Sequence, residues 1–204
     1  MLSMDSGLKE LVNRLKSQGL IDSKGYEQAF LNVPREKFFP KESKDFAFVD
    51  LAYSVGENST ISQPTTIATM LSLLEVMYGD KVLEVGSGSG YVLALLNKIT
   101  NTKVYGIEIN QKLADNSNKI LAGINIDFEI QCSDAKKGFK KQKNFDRILV
   151  SAATKKVPDK LFDQLSKNGL LIAPVGDEVQ DLMVFNKNKD LLFRLGSFVF
   201  VKMT

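Results

Sequence analysis

A short glycine-rich stretch is the clearest candidate for chemistry in this sequence. Residues 82–91 read VLEVGSGSGY, so an apolar run leads into Gly86, Gly88 and Gly90, and a helical pattern follows. Glycines at a strand-to-helix turn allow a tight turn and let a ligand approach the main chain closely. Dinucleotide sites use the spacing GxGxxG, whereas the third glycine here comes one residue early. The loop therefore indicates a ligand site that departs from the dinucleotide pattern, with a nicotinamide site or a simple turn as the alternatives.

An acidic residue precedes this loop. Glu84 lies two positions before the first glycine, and the pattern Glu-x-Gly-x-Gly-x-Gly resembles motif I of the S-adenosylmethionine-dependent methyltransferases. S-adenosylmethionine is a sulfonium cation with a free amino-acid end and no pyrophosphate, so a carboxylate beside a glycine loop suits it better than a phosphate cradle. The resemblance makes S-adenosylmethionine the expected cofactor and implies as its binding residues Glu84, Gly86, Ser87, Gly88 and Gly90.

Two further acids follow predicted strands. Glu108 ends a strand 18 positions past Gly90, where a carboxylate can accept hydrogen bonds from both ribose hydroxyls. Asp134 follows the next strand, where an acid can accept a hydrogen bond from the adenine amino group. A loop aspartate in a Cys-Ser-Asp turn is an equal alternative for this residue. We therefore expect Glu108 and Asp134 to complete the cofactor site.

The residue types that are missing limit the chemistry further. The sequence has no histidine and one cysteine, Cys132. A serine–histidine or cysteine–histidine nucleophile, an imidazole general base and histidine-based metal sites are therefore excluded. An intrachain disulfide and a CxxC motif are excluded as well. Catalysis must use carboxylates, hydroxyls, lysines, main-chain donors or a cofactor, and we expect no metal.

Several segments outside the glycine loop point to one family. Residues 33–38 read VPREKF and residues 60–64 read TISQP. Further matching segments are 145–146 (FD), 152–153 (AA), 157–158 (VP), 169 (G) and 174–176 (PVG). With these segments the chain resembles the protein-L-isoaspartate O-methyltransferases from about residue 8 to about residue 200. The segment TISQP is the most diagnostic of them.

The resemblance implies the repair of damaged proteins. Aspartyl and asparaginyl residues rearrange through a succinimide and leave an isoaspartyl linkage with a free α-carboxylate, which this family methylates. The ester then closes again to the succinimide, which partly hydrolyses to normal aspartate. A carboxylate is already ionised at pH 7, so the reaction needs no general base, and the absence of histidine is explained. The implied partners are isoaspartyl-containing proteins and peptides.

Ser62 is the active-site residue that the resemblance implies. Its hydroxyl can donate a hydrogen bond that orients the substrate carboxylate, and Thr60 and Ile61 are implied to line the same wall as substrate-binding residues. Ser62 is not expected to act as a nucleophile, because no partner base exists to activate it. It also precedes Pro64 and a predicted helix, so an N-cap role is the alternative, and the two roles are compatible.

Four places depart from the family pattern. Before the TIS segment, residues 56–59 read GENS where Gly-x-Gly-Gln is usual, so Glu57, Asn58 and Ser59 follow the shared glycine. Ala135 replaces a glycine, and residues 154–156 (TKK) lack a usual proline. At the C-terminus the sequence is FVFV, with Phe200 where FVPL is usual, and in the family this tail helps to hold the substrate peptide.

These departures leave two alternatives open. One is a methyltransferase of the same fold with another acceptor, either a small molecule or a nucleic acid. The motif Asn/Asp-Pro-Pro-Tyr/Phe, which would favour an amino group on a base, is absent after the fourth predicted strand, where residues 151–154 read SAAT. The other alternative is a family member that binds the cofactor but has lost catalysis.

The elements that must position these residues follow an α/β pattern. Helical spacing begins near Leu8 and stops at Gly19, a second helix runs from a cap at Asp22 or Ser23 towards Asn32, and residues 38–60 lack a regular period. Helices are further predicted at 64–77, 90–98, 110–121 and 158–166, and strands at 81–85, 104–109, 126–131, 147–151, 169–174, 181–186 and 191–201. The prediction is a Rossmann-like, mainly parallel seven-stranded sheet with helices on both faces, an antiparallel C-terminal edge and an N-terminal helical extension.

Length and composition fit a single domain. The 204 residues are 44% hydrophobic and 25% charged, which excludes disordered, collagen-like and disulfide-dense chains. We expect one methyltransferase domain over 1–204, with 1–79 as a substrate-side elaboration and 80–204 as the cofactor-binding core. No signal-peptide pattern and no apolar run of about 20 residues is present, so we expect a cytoplasmic protein without membrane contact. A net charge of +3 gives no reason to expect nucleic acid, and a monomer is the default.

Overall fold

This computed structural model describes residues 4–203 of the chain, which contain six α-helices and nine strands. The helices are α1 (Met4–Ser17), α2 (Lys24–Asn32), α3 (Pro64–Leu74), α4 (Tyr91–Thr100), α5 (Gln111–Gly123) and α6 (Asp159–Asp163). The strands are β1 (Tyr53–Gly56), β2 (Ser59–Ile61), β3 (Val82–Val85), β4 (Val104–Glu108), β5 (Phe128–Cys132), β6 (Phe145–Val150), β7 (Leu165–Gly176), β8 (Gln180–Asn186) and β9 (Leu191–Phe198). Short 3-10 helices lie at Arg35–Phe38, Lys41–Phe46 and Ala135–Lys137.

Seven of the strands form one sheet in the order β5-β4-β3-β6-β7-β8-β9. The strands from β5 to β7 are parallel, whereas β8 is antiparallel to both β7 and β9. The predicted sheet and its antiparallel C-terminal edge are confirmed. Strand β3 has β4 on one side and β6 on the other, so the winding of the chain reverses there. Ligands bind beyond the carboxyl ends of strands at such a switch point.

A separate hydrophobic cluster covers each face of the sheet. Because side chains alternate along a strand, Val82 joins the larger cluster and Leu83 the smaller one. The larger cluster holds buried side chains from α1 to α5, and the smaller one holds α6 and the loop around Phe139. Helices thus cover both faces, as predicted. Within residues 4–203 the second face has only one α-helix, of five residues.

The N-terminal helices are tied to the core by polar contacts as well as packing. The Ser23 hydroxyl accepts a hydrogen bond from the Tyr26 N–H at 3.3 Å, which is one of the two predicted caps of α2. The Tyr26 hydroxyl donates towards the carbonyls of Leu71 and Val76, 3.0 and 3.1 Å away. Burial raises the pKa of Tyr26 well above its usual range. This hydroxyl therefore remains a proton donor that joins α2 to the end of α3.

The segment predicted to be irregular, 38–60, contains a small hairpin. Strands β1 and β2 pair antiparallel, and the turn residues Glu57 and Asn58 both have left-handed backbones, with φ of 52° and 54°. A two-residue turn of this kind matches the twist of a hairpin, but Asn-Gly is its usual sequence signal. Glutamate at the first position gives no such signal, so the prediction missed the hairpin.

Several predicted boundaries are wrong, and at α6 and α3 pairing or backbone geometry overrides the local pattern. Helix α6 ends at Asp163 and not at 166, since Leu165 already pairs with Phe145 in the sheet. Helix α3 ends at Leu74 and not at 77, because Glu75 turns left-handed with φ of 51°. Strand β9 ends at Phe198 and not at 201. No helix in the part of the chain from 4 to 203 is long and apolar enough to cross a bilayer.

Candidate active site

A cavity of about 400 Å³ lies at the carboxyl ends of the parallel strands β3 to β6. That volume lies in the range of small-molecule sites, roughly 300–1,000 Å³. Its floor includes Glu84 at the end of β3, Glu108 at the end of β4 and Ser151 after β6. The hairpin segment 57–63 and the C-terminal segment 199–203 form the rest of the wall. The topology therefore brings most of the predicted site residues to one place.

The glycine loop has the backbone geometry that its sequence predicts. Gly86, Gly88 and Gly90 all have positive φ, at 78°, 49° and 85°. A Cβ on Gly90 would lie 3.0 Å from the Cβ of Ser117 in α5, and a Cβ on Gly88 would lie 3.3 Å from the Ser59 hydroxyl. The loop thus has little space for side chains. Gly86 and Gly88 line the cavity, whereas Gly90 is the N-cap residue of α4 and does not line it.

Glu108 joins the glycine loop to the start of α5. It is buried, and its Oε2 accepts a hydrogen bond from the Gly88 N–H at 2.8 Å. Its Oε1 accepts from the Asn110 N–H at 2.9 Å, and the Asn110 side chain in turn caps α5. Each carboxylate oxygen keeps a further lone pair. The carboxylate is therefore fixed in place and still able to accept from a diol.

Glu84 is a buried carboxylate with one unsatisfied oxygen. Its Oε1 accepts a hydrogen bond from the Ser151 hydroxyl at 2.8 Å, whereas its Oε2 has no hydrogen-bond partner. Burial raises the pKa of Glu84 well above its usual range and the charge of Glu108 raises it further, whereas the Ser151 hydroxyl and the main-chain N–H of Leu93 lower it. The Ser87 hydroxyl in the same cavity is also buried and unpartnered. These orphaned atoms fit a ligand with cationic and polar groups, because buried polar atoms are normally hydrogen-bonded.

Asp134 does not line the cavity, although Ser133 and Ala135 do. Its Oδ1 accepts a hydrogen bond from the Lys136 N–H at 2.8 Å and so caps a 3-10 turn. This contact agrees with the alternative of a loop aspartate in a Cys-Ser-Asp turn, and an adenine contact by Asp134 stays a prediction. Ala135 lies in that 3-10 turn and is not among the residues with positive φ. The replacement of glycine by alanine is therefore without strain.

The active segment 60–62 lines the cavity from the hairpin side. Ser62 is half-buried there, and the cap position of α3 belongs to Gln63, whose side chain makes no cap bond. Asp50 supplies that function instead, since its Oδ1 accepts from the Thr65 N–H at 2.9 Å. An N-cap role for Ser62 is therefore wrong, and its hydroxyl is not used by the helix.

Arg35, in the VPREKF segment, is a residue whose role the sequence did not reveal. It is 1% exposed, its Nε donates to the Ala47 carbonyl and its Nη2 to the Ser62 carbonyl, both at 2.9 Å. The guanidinium also lies over the ring of Tyr91, 4.6 Å from the centroid. Burial lowers the pKa of Arg35, although an arginine stays charged. This side chain fixes the main chain at Ser62, a contact that no local pattern reveals.

The C-terminal segment is held along the cavity by main-chain hydrogen bonds. The Phe200 N–H donates to the side-chain oxygen of the buried Gln180 at 2.8 Å. The Ala153 N–H donates to the Val201 carbonyl at 2.8 Å, and the Met203 N–H donates to the Ala153 carbonyl at 2.7 Å. A proline at position 200 would have no N–H to donate. The departure from the family pattern thus adds a hydrogen bond here.

The lysines between β5 and β6 lie outside this site. All five are exposed, namely Lys136, Lys137, Lys140, Lys141 and Lys143. Phe139 within the same loop is buried and packs edge-on against Tyr105, 5.3 Å between ring centroids. It is core packing and not a platform on which a base could stack.

Comparison with known proteins identifies the family. The family model described as protein-L-isoaspartate(D-aspartate) O-methyltransferase (PCMT) matches residues 6–203. The chain belongs to this family. The predicted recognition is therefore confirmed over nearly the whole length of the sequence.

Two relatives in the PCMT family, one from each of two organisms, align with most of the chain. A protein-L-isoaspartate O-methyltransferase from Chlorobium phaeobacteroides is 38% identical over 184 residues, which are 89% of this chain and 84% of the relative. Protein-L-isoaspartate O-methyltransferase 2 from Archaeoglobus fulgidus is 37% identical over 191 residues, 92% of this chain and 87% of the relative.

A solved structure from the PCMT family supports the fold and the cofactor. It is a crystal structure of a protein from Plasmodium falciparum that is described as a protein-L-isoaspartate O-methyltransferase (PCMT), in complex with S-adenosyl-L-homocysteine. It superposes with a TM-score of 0.84 at 26% identity and covers 96% of this chain and 97% of its own. The predicted fold class and the predicted cofactor, S-adenosylmethionine, are confirmed by these matches.

Proposed function

We propose that this enzyme transfers a methyl group from S-adenosylmethionine to the α-carboxylate of L-isoaspartyl residues in damaged proteins, at the cavity described above. The observation that carries the proposal is the meeting of two segments. Residues 60–62, which the family resemblance marks as substrate-binding, line the same cavity as the glycine loop and Glu108. Because both segments line one cavity, one ligand can contact both.

The chain's own residues fit the cofactor. S-adenosylmethionine supplies an already activated methyl group. The unpartnered Oε2 of Glu84 suits a cationic group, because a buried carboxylate gains most from a cation that replaces lost solvent. Glu108 has free lone pairs for the ribose hydroxyls, and Gly86 and Gly88 present main chain without side chains to the cavity. The unpartnered Ser87 hydroxyl adds a further polar contact.

Residues 60–66 give the cavity a neutral polar wall. This wall carries the neutral polar side chains of Thr60, Ser62, Gln63 and Thr66. Neutral donors can orient a carboxylate without repelling it, whereas Glu84 and Glu108 lie at the cofactor end. We assign to Ser62 the donation of a hydrogen bond to the substrate carboxylate, and to Arg35 the positioning of Ser62. Catalysis then rests on alignment of the reacting atoms and exclusion of water.

We further propose the organisation and location of the protein. Residues 1–79 form the substrate-side elaboration and residues 80–204 the cofactor-binding core of a single domain. Isoaspartyl-containing proteins and peptides are the partners, and nucleic acid is not expected. A cytoplasmic location is supported by Cys132, the one cysteine, which is exposed and free and would stay reduced in that compartment.

Methyl transfer to two matched peptides tests the proposal. The peptides differ only in one isoaspartyl or aspartyl linkage, and the methyl donor is labelled. We expect label on the isoaspartyl peptide alone, a large loss of kcat in Ser62→Ala, and wild-type activity in Ser54→Ala, an exposed serine of the same hairpin outside the cavity. Label on neither peptide, with the cofactor still bound by calorimetry, would contradict the assigned acceptor.

A further inference from the structure

The turn of the β1–β2 hairpin reaches across the cavity to the start of α5. The Glu57 Oε1 lies 3.3 Å from the Lys112 Nζ, and the Asn110 Nδ2 donates to the Glu57 Oε2 at 3.4 Å. Glu57 and Asn110 both line the cavity. These two contacts join segments that are 53 and 55 residues apart in the sequence.

The backbone at Glu57 is unfavourable for a glutamate. Its φ of 52° is left-handed, a region in which asparagine is common and longer side chains are rare. Asn58, the other turn residue, has a similar φ of 54° and suits it. A glutamate at this position therefore strains the turn. The contacts of its carboxylate with Asn110 and Lys112 offset this strain.

The turn is connected to the cofactor-binding residues on both sides. Through Asn110 it reaches Glu108, which accepts the Asn110 N–H at 2.9 Å. Through β2 it leads to Ser59, whose hydroxyl would lie 3.3 Å from a Cβ on Gly88. It then continues directly into the active segment 60–62. The position of the hairpin thus affects both the cofactor end and the acceptor end of the cavity.

We propose that Glu57 is a positioning residue that fastens the hairpin over the bound cofactor. Cofactor entry and product release require its contacts with Asn110 and Lys112 to break. The side chains of Glu57 and Lys112 are 39% and 80% exposed, so the ion pair is weak and sensitive to salt. A weak fastening suits a ligand that must leave after every turnover. The proposal rests on S-adenosylmethionine as the cofactor and not on the identity of the acceptor.

The rate of product release is the quantity that tests this proposal. Labelled S-adenosylhomocysteine is bound to the full chain and chased with the unlabelled compound. We expect Glu57→Gln to release it about two- to five-fold faster at low salt, the effect typical of an exposed ion pair, and the difference to shrink at high salt. Glu129→Gln is the matched control, because Glu129, on β5, forms an exposed ion pair with Lys103 at 3.2 Å and neither residue lines the cavity. It should release at the wild-type rate.

Two further variants separate fastening from a merely structural role. Glu57→Asn places a residue that suits the left-handed turn but is too short and uncharged for the contact, so release should again be faster although the turn is relieved. Lys112→Gln should speed release as well, and the double variant with Glu57→Gln should be no faster than either single one. Wild-type release from Glu57→Asn, or additive effects in the double variant, would overturn the proposal. Since the assay contains no methyl acceptor, its outcome is independent of whether isoaspartyl peptides are the substrate.

Discussion

Replacing Glu84 by glutamine should stabilise the free protein at neutral pH and weaken its binding of the cofactor. Glutamine keeps the shape of the side chain and can still accept the Ser151 hydrogen bond through its Oε1. It removes the titrating proton and the negative charge. The two effects have opposite signs because the buried carboxylate is unfavourable until a cationic ligand pairs with it.

The size of the stability effect follows from proton linkage. The pKa of Glu84 in the folded protein lies well above the ordinary 4.5, so between these two values the folded state binds a proton that the unfolded state has lost. The free energy of unfolding then falls as pH rises, with a slope of up to about 1.4 kcal/mol per pH unit. The contribution of Glu84 to stability is fully present below its unfolded pKa and is lost as pH rises through its folded pKa. In Glu84→Gln this contribution to the slope is absent.

The assay compares urea unfolding of wild type and Glu84→Gln by circular dichroism, without cofactor, from pH 4.5 upward. The other carboxylates are common to both proteins, so they cancel in the difference between the curves. That difference should grow with pH in favour of the variant, whereas Glu129→Gln, at an exposed carboxylate, should run parallel to wild type. Curves for Glu84→Gln that run parallel to wild type would refute a raised pKa at Glu84.

The same variant tests the assignment of Glu84 to a cationic ligand group. A hydrogen bond to a charged group contributes about 1.5–3 kcal/mol, so calorimetry should show S-adenosylmethionine binding about 10- to 150-fold more weakly to Glu84→Gln. In wild type the affinity should rise with pH through the pKa of Glu84, because the cation prefers the ionised form. Equal affinity in the two proteins would contradict the assignment.

Three other substitutions have defined outcomes. Gly90→Ala should cost at least about 1 kcal/mol of unfolding free energy, because a left-handed backbone opposes a Cβ that also meets α5; an unchanged urea midpoint would contradict this. Arg35→Lys should lose a charged hydrogen bond that contributes about 1.5–3 kcal/mol to the free energy of unfolding. Its kcat should fall, whereas its cofactor affinity, measured by calorimetry, should stay the same; a wild-type kcat would argue against positioning of Ser62 by Arg35. Phe200→Pro should lower the free energy of unfolding by about 1 kcal/mol, because the buried Gln180 side-chain oxygen loses its donor, and an unchanged urea midpoint would show that this hydrogen bond does not stabilise the protein.

The parts of the site that could be predicted are those encoded in short, local patterns. The glycine loop and Glu108 follow from spacing along two neighbouring strands, and the structure gives both a physical reason. The contact of Arg35 with the Ser62 carbonyl spans 27 residues, and that of Ser151 with Glu84 spans 67. Such pairs depend on how the elements pack and not on periodicity, so inspection of one segment cannot reveal them.

The predictions of the hairpin segment and of the end of α6 were wrong for related reasons. A left-handed glutamate at position 57 carries no turn signal, and its contacts lie on α5. The helical pattern at 158–166 was locally reasonable, but Leu165 pairs in the sheet with Phe145. The parallel direction of the central strands was predictable, because alternating strands and helices favour a parallel sheet.

The larger hydrophobic cluster has a consequence for the newly made chain on the ribosome. It combines side chains of α1 to α3 with side chains of strands as late as β8, and α3 packs directly on β7 and β8. Leu74, the last residue of α3, and Asn186, the last of β8, are separated by 112 residues. At a synthesis rate of about 5–20 residues per second, roughly 6–22 seconds pass between the synthesis of α3 and that of the strands that cover its apolar side. During that interval the apolar side of α3 lacks the strands that cover it in the folded protein, so it is open to aggregation or to binding by a chaperone.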